Sequence, residues 1–358
     1  MNLSEIIKHY SFNGKNPSCA PYGEGHINET MVLTFSDSSE KYILQRVNDK
    51  IFNVAELMHN ITIVTDFIRN KTAERGGNPD EECLTVVKTN DGKSFVQTSD
   101  GYYRIYRFIN GISYQVVENA DDFYRCAQAF GTFANLLAEF DATKLYESIP
   151  KFHDTEKRFR DFMASLEKDA SGRAKNVQQE IDFVLKRSGY CDRITSLLAA
   201  KKIPVRVTHN DTKLNNVLFD EKTGNCIAVI DLDTVMPGSL CYDFGDSIRF
   251  GCNTSTEDDT DLSRVNFDIN LFKAFAEGYL TAIGDGITQA EKNQLAFSSI
   301  LMTYECGMRF LGDYIDGDKY FRVSRENHNL DRARTQFKLV SDMERLLPEM
   351  EKIIADIK

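Results

Sequence analysis

The chain has 358 residues, 42% of them hydrophobic, and a formal net charge of −11 at pH 7. A length above roughly 250–300 residues usually means more than one hydrophobic core, so two domains are expected. The negative charge argues against nucleic acid and anionic membranes as partners of the general surface. It leaves open whether the acidity serves a cationic substrate or only solubility.

Targeting and redox signals point to the cell interior. The sequence has no apolar run near the roughly 18 residues that a membrane helix needs, so no membrane-spanning helix is expected. The start, MNLSEIIKHYSF, lacks the pattern of a signal peptide, so a cytoplasmic location is expected. The eight cysteines form no C-x-x-C pair. Free thiols are therefore expected rather than zinc ligands or disulfides.

The first 110 residues predict a mostly antiparallel lobe. Apolar side chains spaced by three and four positions predict a short helix from Leu3 to Tyr10 and a longer one from Val54 to Ile68. Alternating apolar residues, with Asn-Asp-Gly and Ser-Asp-Gly as hairpin turns, predict strands. These strands are expected at 29–35, 41–47, 84–89, 93–97 and 102–109.

A glycine-containing loop, YGEGHIN at 22–28, precedes the first hairpin. It matches neither G-x-G-x-x-G nor the Walker sequence; small residues would let backbone N–H groups approach phosphate, but a tight hairpin would need them too. Protein kinases carry a phosphate-binding lysine on the next strand, where this chain has Gln45. Either Gln45 binds phosphate, or a metal and another base supply the charge. The residues predicted to bind nucleotide, including a hinge at 107–111, are Gly23, Gly25, His26, Asn28, Gln45, Arg107 and Ile109.

Beyond residue 110 the pattern is helical. An apolar stripe runs from Phe123 to Leu137, a charged stretch with interleaved phenylalanines covers 151–168, and further helices are predicted near 267–282, 289–314 and 332–357. The sequence thus predicts an α+β protein with an N-terminal nucleotide-binding lobe at 1–110 and a C-terminal catalytic and substrate-binding lobe at 111–358.

The stretch 205–250 carries the strongest chemical signal. It contains H-x-D-x-x-x-x-N, the kinase catalytic-loop pattern in which the Asp receives the proton of the acceptor hydroxyl. Asp211 is the predicted base, and Lys213 would offset the charge of the moving phosphoryl group. Asn216 and Asp231 are the predicted Mg²⁺ ligands, because a hard cation prefers carboxylate and amide oxygens. Asp233 either joins them or faces outward.

Seven blocks along the chain carry a family resemblance. The chain resembles the aminoglycoside phosphotransferase and choline kinase superfamily and, within it, the bacterial N-acetylhexosamine 1-kinases. The matching blocks are YGEGHIN, YILQRVN, FHDTEKRF, THNDTKLNN, IDLDTVMPG, DFGDSIRFG and ECGMRFLGDYIDGDKYF. The resemblance implies a bilobal protein-kinase-like fold, with an antiparallel N-lobe and a mainly helical C-lobe, that uses ATP and Mg²⁺. It also implies that the anomeric hydroxyl of GlcNAc or GalNAc is phosphorylated, giving the sugar 1-phosphate and ADP.

The resemblance also suggests further roles. Asp243 would brace the catalytic loop by hydrogen bonding. His153 and Asp154 would face the sugar, although a helix cap explains such residues equally well. Arg309 could donate to the ring and N-acetyl oxygens while Tyr320 stacks on the sugar; an internal ion pair and a packed tyrosine are the alternatives.

Two other functions remain open. The same fold could act on an amino-alcohol or an aminoglycoside, or the chain could be a catalytically silent nucleotide-binding regulator that lacks the strand lysine. A small-molecule sugar is the expected partner. The sequence decides neither the gluco or galacto preference nor the oligomeric state.

Overall fold

The computed structural model describes residues 2–23, 27–117 and 119–358. The chain forms two compact units, each discontinuous in sequence. The sheet unit comprises Met1–Ser113, Glu139–Pro150 and Val217–Pro237. The helical unit comprises Tyr114–Ala138, Lys151–Asn216 and Gly238–Lys358. The functional division into lobes at 1–110 and 111–358 stays a proposal.

The strands and the helices of the described residues are each numbered in chain order. The strands are β1 Ser18–Pro21, β2 Glu29–Thr34, β3 Tyr42–Val47, β4 Val96–Thr98, β5 Gly101–Arg107, β6 Arg206–Thr208, β7 Val217–Phe219, β8 Cys226–Val229 and β9 Met236–Gly238. The helices are α1 Leu3–Ile7, α2 Val54–Glu74, α3 Pro79–Glu82, α4 Ala120–Leu136, α5 Thr155–Lys168, α6 Gln178–Lys186, α7 Arg193–Ala199, α8 Leu240–Gly251, α9 Ile269–Ile283, α10 Gln289–Lys292, α11 Leu295–Asp316 and α12 His328–Asp356.

The sheet unit is built on one antiparallel sheet of five strands in the order β1-β2-β3-β5-β4. Alternation on β3 and β5 buries Leu44 and Ile105, which pair across the two strands. These side chains pack on α1 through Ile6. A separate hairpin of β7 and β8 pairs Val217 with Val229 and leads the chain into Asp231.

One predicted strand is wrong and one was missed. The segment 84–89 is not a strand, because it makes only an isolated bridge from Val86 to Tyr106 along the edge of β5. The missed strand is β1, at the opposite edge of the sheet, whose Ser18 pairs with Thr34 of β2. The sheet therefore has the predicted number of strands with different members.

The helical unit packs aromatic side chains of α4, α8 and α9 together. The Phe123 ring lies 4.6 Å from the Phe275 ring, and the Phe244 ring of α8 lies 5.5 Å from the same ring. Helix α8 was not predicted, and the predicted helix at 289–314 is divided into α10 and α11. The predicted α+β class is confirmed, with an antiparallel sheet in one unit and mainly helices in the other.

Within the described ranges, no helix is both long enough and apolar enough to cross a membrane.

Candidate active site

The loop that follows β6 is anchored to helix α8. The two carboxylate oxygens of Asp243 accept the backbone N–H groups of His209 at 2.8 Å and Asn210 at 2.7 Å, and the Asp243 carbonyl accepts the Thr212 hydroxyl at 2.6 Å. Asn210 has a left-handed backbone with φ 63°, which such bonds can hold in place. Burial raises the pKa of Asp243 above its ordinary value. The expectation that Asp243 braces this loop is confirmed.

His209 has a structural position beneath the loop. Its side chain is fully buried, and its ring lies 5.7 Å from the Phe130 ring and 5.9 Å from the Phe133 ring, both edge-on. Its Nδ1 accepts the backbone N–H of Asp211 at 3.3 Å. This bond fixes the ring tautomer and the direction in which the loop presents Asp211.

Asp211, Lys213 and Asn216 lie together on this loop. The Lys213 Nζ atom is 2.7 Å from Asp211 Oδ1. The Asn216 Nδ2 atom donates to the Asp211 carbonyl at 2.8 Å and to Asp211 Oδ2 at 3.1 Å. Burial acts to lower the pKa of Lys213, but the charges of Asp211 and Asp246 outweigh it and raise that pKa. The carboxylate is therefore held by a cation and an amide while part of it remains open to solvent.

Asp231 and Asp233 belong to the turn that follows β8 in the sheet unit. Asp231 has a left-handed backbone with φ 58° and ψ 61°, and a short 3₁₀ turn, Leu232–Thr234, comes next. Asp233 is buried, with Oδ1 2.6 Å from Arg104 Nη2 and Oδ2 accepting Asn28 Nδ2 at 2.5 Å. One oxygen is therefore engaged by an ion pair and the other by a hydrogen bond.

The side chains offer a partial fit to Mg²⁺. Asp231 has a carboxylate and Asn216 an amide oxygen, the hard donors that Mg²⁺ prefers, and the bonds of Asn216 to Asp211 use only its nitrogen. Asp233 fits less well, because a cation would have to displace a buried guanidinium. Among residues 2–23, 27–117 and 119–358, no group of three or more His, Cys, Asp and Glu side chains is arranged to hold a metal ion.

The predicted nucleotide-binding residues of the first hairpin divide into two groups. Gly25 and His26 lie outside the described residues. Gly23 has φ 71°, a left-handed conformation that favours glycine. Asn28 and Gln45 use both ends of their amides within the protein: Asn28 Oδ1 accepts the backbone N–H of Asn48 at 2.9 Å, and Gln45 bonds Thr30 and Arg104, both at 2.9 Å.

The predicted hinge residues end the same sheet. The Arg107 backbone N–H donates to the Thr85 carbonyl at 3.0 Å, and its guanidinium lies 3.8 Å from Asp80 Oδ2. The Ile109 side chain is buried. The backbone N–H of Arg107 is therefore already hydrogen-bonded within the protein. An adenine ring would have to bond to other backbone groups of residues 107–111.

A buried pair of side chains links α5 and α11 in the helical unit. Glu305 is 1% exposed, and its carboxylate accepts His153 Nδ1 at 2.9 Å and the Thr155 hydroxyl at 2.5 Å. Burial acts to raise the pKa of Glu305, but the hydrogen bond and charge of His153, with Arg309, lower it. The Nε2 atom of His153 is buried and has no hydrogen-bond partner. Asp154 instead caps α5 by accepting the backbone N–H of Lys157 at 2.8 Å.

Next to this pair is a surface of aromatic rings around a cation. The Arg309 guanidinium lies 5.7 Å from the Phe152 ring and 5.8 Å from the Tyr320 ring. Tyr320 is 72% exposed. Burial and the nearby charge of Arg309 lower the pKa of Arg158, so two guanidinium groups share this surface.

His153 is also coupled to the catalytic loop. Its ring lies 5.4 Å from the Tyr242 ring of α8, and a charged ring would act to lower the pKa values of Asp243 and Asp246, as a smaller effect beside their burial. Asp246 in turn raises the pKa of Lys213, the partner of Asp211. The helical unit therefore brings His153 and the predicted base into one electrostatic environment.

Sequence reasoning missed two charged residues of these clusters. Arg104 was not singled out, although an arginine between Tyr103 and Ile105 in a buried strand was an available signal. Glu305 stood in a quoted block without a role. Its buried neighbour His153 is 152 positions away in sequence, which no local pattern reveals.

Solved structures of other proteins share this fold. The aminoglycoside phosphotransferase of Alicyclobacillus acidocaldarius subsp. acidocaldarius DSM 446 is 15% identical, with a TM-score of 0.62 over 99% of this chain and 97% of that one. A spectinomycin phosphotransferase, in complex with ADP and spectinomycin, is 14% identical with a TM-score of 0.57 over 97% of each chain. The ethanolamine kinase of Plasmodium vivax is 14% identical with a TM-score of 0.57, covering 92% of this chain and 84% of its own.

The sequence also matches a family model over a longer range than the catalytic loop alone. The model describes the phosphotransferase enzyme family, and the match covers residues 18–289, well over half of the chain. The chain therefore belongs to the phosphotransferase enzyme family.

Proposed function

We propose that the chain is an ATP-dependent N-acetylhexosamine 1-kinase of the cytoplasm, which transfers the γ-phosphoryl group to the anomeric hydroxyl of GlcNAc or GalNAc. Membership of the phosphotransferase family supports the reaction class. The ADP bound to the spectinomycin phosphotransferase supports ATP as the donor. The acceptor is argued from the helical unit, as follows.

The choice of a neutral substrate as the phosphoryl acceptor rests on the charges around Arg309. An aminoglycoside or an amino-alcohol brings one or more cations, which require carboxylates in the binding site. The described side chains around Arg309 include the second cation Arg158, and the buried acid Glu305 already accepts hydrogen bonds from His153 and Thr155. A neutral acceptor avoids both the repulsion and the desolvation of a second charge.

An acetamido sugar matches the remaining groups. The exposed Tyr320 ring can stack on a sugar face, and Arg309 can donate to the ring and N-acetyl oxygens. His153 donates Nδ1–H to Glu305, and its buried Nε2 has no hydrogen-bond partner. A sugar hydroxyl, which can both donate and accept, would supply that partner in either protonation state of the ring.

The chemical step assigns each loop residue a task. The anomeric oxygen forms a bond to the γ-phosphorus while the bond from that phosphorus to the ADP oxygen breaks, and Asp211 takes the hydroxyl proton. Lys213, which lies 2.7 Å from Asp211 in this structure, orients the carboxylate and offsets phosphoryl charge. Asn216 keeps Asp211 in place through Nδ2. Such positioning accounts for most of the catalysis in phosphoryl transfer.

Magnesium has a defined place in this proposal. Asp231 and the amide oxygen of Asn216 would hold Mg²⁺, which would neutralise charge on the phosphate oxygens. The left-handed turn at Asp231 is consistent with such a role, because strained backbone often occurs at functional positions.

The first experiment measures ADP release from Mg-ATP with GlcNAc, GalNAc, galactose, choline and kanamycin, and identifies the product by phosphorus NMR. Formation of a 1-phosphate from either acetamido sugar is expected. Turnover with choline or kanamycin alone would keep the kinase and reject the sugar. Asp211→Asn should lose at least about 10³-fold in kcat while it still binds ATP, whereas the exposed control Asp285→Asn should match the wild type. Unchanged background turnover in Asp211→Asn would instead favour the silent regulator.

A second experiment tests the acceptor contact of His153. His153→Asn keeps an amide near the position of Nδ1 and removes Nε2, whereas His153→Gln places an amide nearer to Nε2. The asparagine variant should raise the acceptor KM about tenfold, as expected for one lost hydrogen bond, with the KM for ATP unchanged. The glutamine variant should recover part of the loss. His328→Asn is the control, since His328 is also a buried histidine beside a carboxylate, Asp258.

A further inference from the structure

The strand lysine that protein kinases use for phosphate is absent from β3, and a cation is found one strand away. Gln45 of β3 pairs in register with Arg104 of β5, and Gln45 Oε1 accepts Arg104 Nε at 2.9 Å. The Gln45 Nε2 donates to Thr30 Oγ1 at 2.9 Å. Gln45 thus holds Arg104 in place, and phosphate binding by Gln45 would break one of these bonds.

Arg104 is aimed into the protein. It is 1% exposed, its Nη2 lies 2.6 Å from Asp233 Oδ1, and its guanidinium carbon lies 5.1 Å from the Tyr106 ring. A bound phosphate would have to attract a fully buried guanidinium away from a carboxylate at hydrogen-bonding distance. The contacts therefore favour a role for Arg104 toward Asp233 rather than toward phosphate.

Asp233 is held in place by residues from separate segments of the sheet unit. Besides Arg104 of β5, its carboxylate accepts Asn28 Nδ2 at 2.5 Å, and Asn28 lies just before β2. Asn28 Oδ1 accepts the backbone N–H of Asn48, just after β3, at 2.9 Å. Asp233 is therefore held directly by Arg104 and Asn28, with Asn48 fixing Asn28, while Asp231 lies two residues earlier on the same turn.

We propose that Arg104 and Asp233 form a buried positioning pair, which holds the turn 231–234 and thereby orients Asp231 toward the cation. Asp233 is then not a metal ligand, and the strand cation of this chain serves the metal-binding turn in place of direct phosphate contact. This inference rests on the proposed function, because it takes Asp231 as the Mg²⁺ ligand.

The test measures binding rather than turnover. Affinity for ADP is measured by titration calorimetry in EDTA and over a series of Mg²⁺ concentrations, with wild type, Arg104→Gln, Asp233→Asn and Asp231→Asn. In Arg104→Gln and Asp233→Asn, the Mg²⁺ concentration for half-maximal tightening should rise about 10–100-fold, while affinity in EDTA stays within about twofold. Asp231→Asn should lose the Mg²⁺ dependence altogether.

A double variant and a matched control separate positioning from folding. If the two residues act as one pair, Arg104→Gln/Asp233→Asn should show the defect of a single variant and not the product of two. Arg187→Gln removes an arginine that is bidentate to Glu344 in the helical unit. It should lower thermal stability with an unchanged Mg²⁺ dependence. Arg104→Lys, which keeps the charge without the planar fork, should recover only part of the function.

Several outcomes would overturn the proposal. A loss of ADP affinity in EDTA with Arg104→Gln would make Arg104 a phosphate ligand. Complete loss of the Mg²⁺ dependence in Asp233→Asn would make Asp233 a metal ligand. A normal Mg²⁺ dependence in both single variants would leave the pair with no role in positioning. If wild type shows no Mg²⁺-dependent ADP binding, the proposed function fails first, and the role of the pair fails with it.

Discussion

Replacing Gly245 with alanine tests how closely α8 must approach α11. An added Cβ would lie 2.4 Å from the Ser298 carbonyl oxygen, 2.6 Å from Met302 Cγ and 2.8 Å from the Ser298 carbonyl carbon. The Met302 side chain could rotate away, but the Ser298 backbone could not, so α8 would have to shift. Helix α8 carries Asp243, which holds the catalytic loop; the shift should therefore reach the proposed base.

The expected loss of stability follows from two opposing terms. Overpacking of a tight core costs about 1–3 kcal/mol, and a backbone contact belongs at the upper end. Alanine returns about 1 kcal/mol relative to glycine inside a helix. We therefore expect Gly245→Ala to lower the free energy of unfolding by about 2 kcal/mol.

Gly189→Ala is the matched control, because an added Cβ at Gly189 would meet no atom within 4 Å. This variant should be neutral or more stable by up to about 1 kcal/mol. Urea unfolding is followed by circular dichroism at 222 nm, since the chain has no tryptophan. If Gly245→Ala were as stable as Gly189→Ala and kept the wild-type kcat, the close approach of α8 would not matter and the reasoning would be refuted.

Three further predictions concern buried charges and thiols. Arg206→Met should lower the free energy of unfolding by about 3–5 kcal/mol in urea titrations, because it leaves the fully buried carboxylate of Glu291 without its cation. Glu305→Gln should be destabilising at pH 7, and its difference from wild type should shrink as pH falls. The reason is that Glu305 has a lowered pKa, so its stabilisation is present above the unfolded pKa and lost as pH falls through the folded one; unfolding at pH 7, 5 and 3.5 measures this. Native thiols should react slowly with a disulfide reagent at pH 8 and completely in urea, because burial raises the pKa of several cysteines, to about 12 for Cys226 and Cys241 and to about 11 for Cys191 and Cys306.

Local pattern was enough for the elements with one buried face. Strands β2, β3 and β5 alternate apolar and polar side chains, and each was predicted within two residues of its observed ends. Strand β1 was missed because Pro21 and the glycines after it read as a loop. The segment 84–89 has the composition of a strand, but its neighbours offer it only an isolated bridge. Strand composition alone therefore does not fix membership of a sheet.

Helix α8 was not predicted, because its sequence lacks the usual signs of a surface helix. Nearly every residue from Leu240 to Gly251 is buried, including Asp243, Asp246 and Arg249, so its charged residues do not mark a solvent-exposed face. Its glycines, Gly245 and Gly251, resemble breaks in a helix, yet Gly245 is required by close packing. The N-cap Ser239, which accepts the backbone N–H of Cys241, was the available local signal.

In the candidate site, too, contacts between residues close in sequence were predictable and contacts between distant residues were not. One loop contains Asp211, Lys213 and Asn216. Their short spacing in the sequence predicted that they lie close together, and they do so in the structure. The partners of Asp233 and His153 come from distant parts of the chain. Sequence could name Asp233 as a carboxylate near a predicted metal site, but only its contacts reveal that one oxygen is paired with Arg104 and the other is hydrogen-bonded to Asn28.

The net charge of −11 left a positively charged substrate as one option. The charges around the proposed substrate site argue against that option. Electrostatic effects of exposed charges fade over roughly 8–10 Å in physiological salt, so a bound substrate responds mainly to the groups beside it. Near the exposed Tyr320 ring lie the cations Arg309 and Arg158, while the acids Glu305 and Asp313 already accept hydrogen bonds within the protein. An acidic overall surface is compatible with a cationic region at the proposed acceptor site, and for the choice of substrate the local charges carry more weight than the net charge.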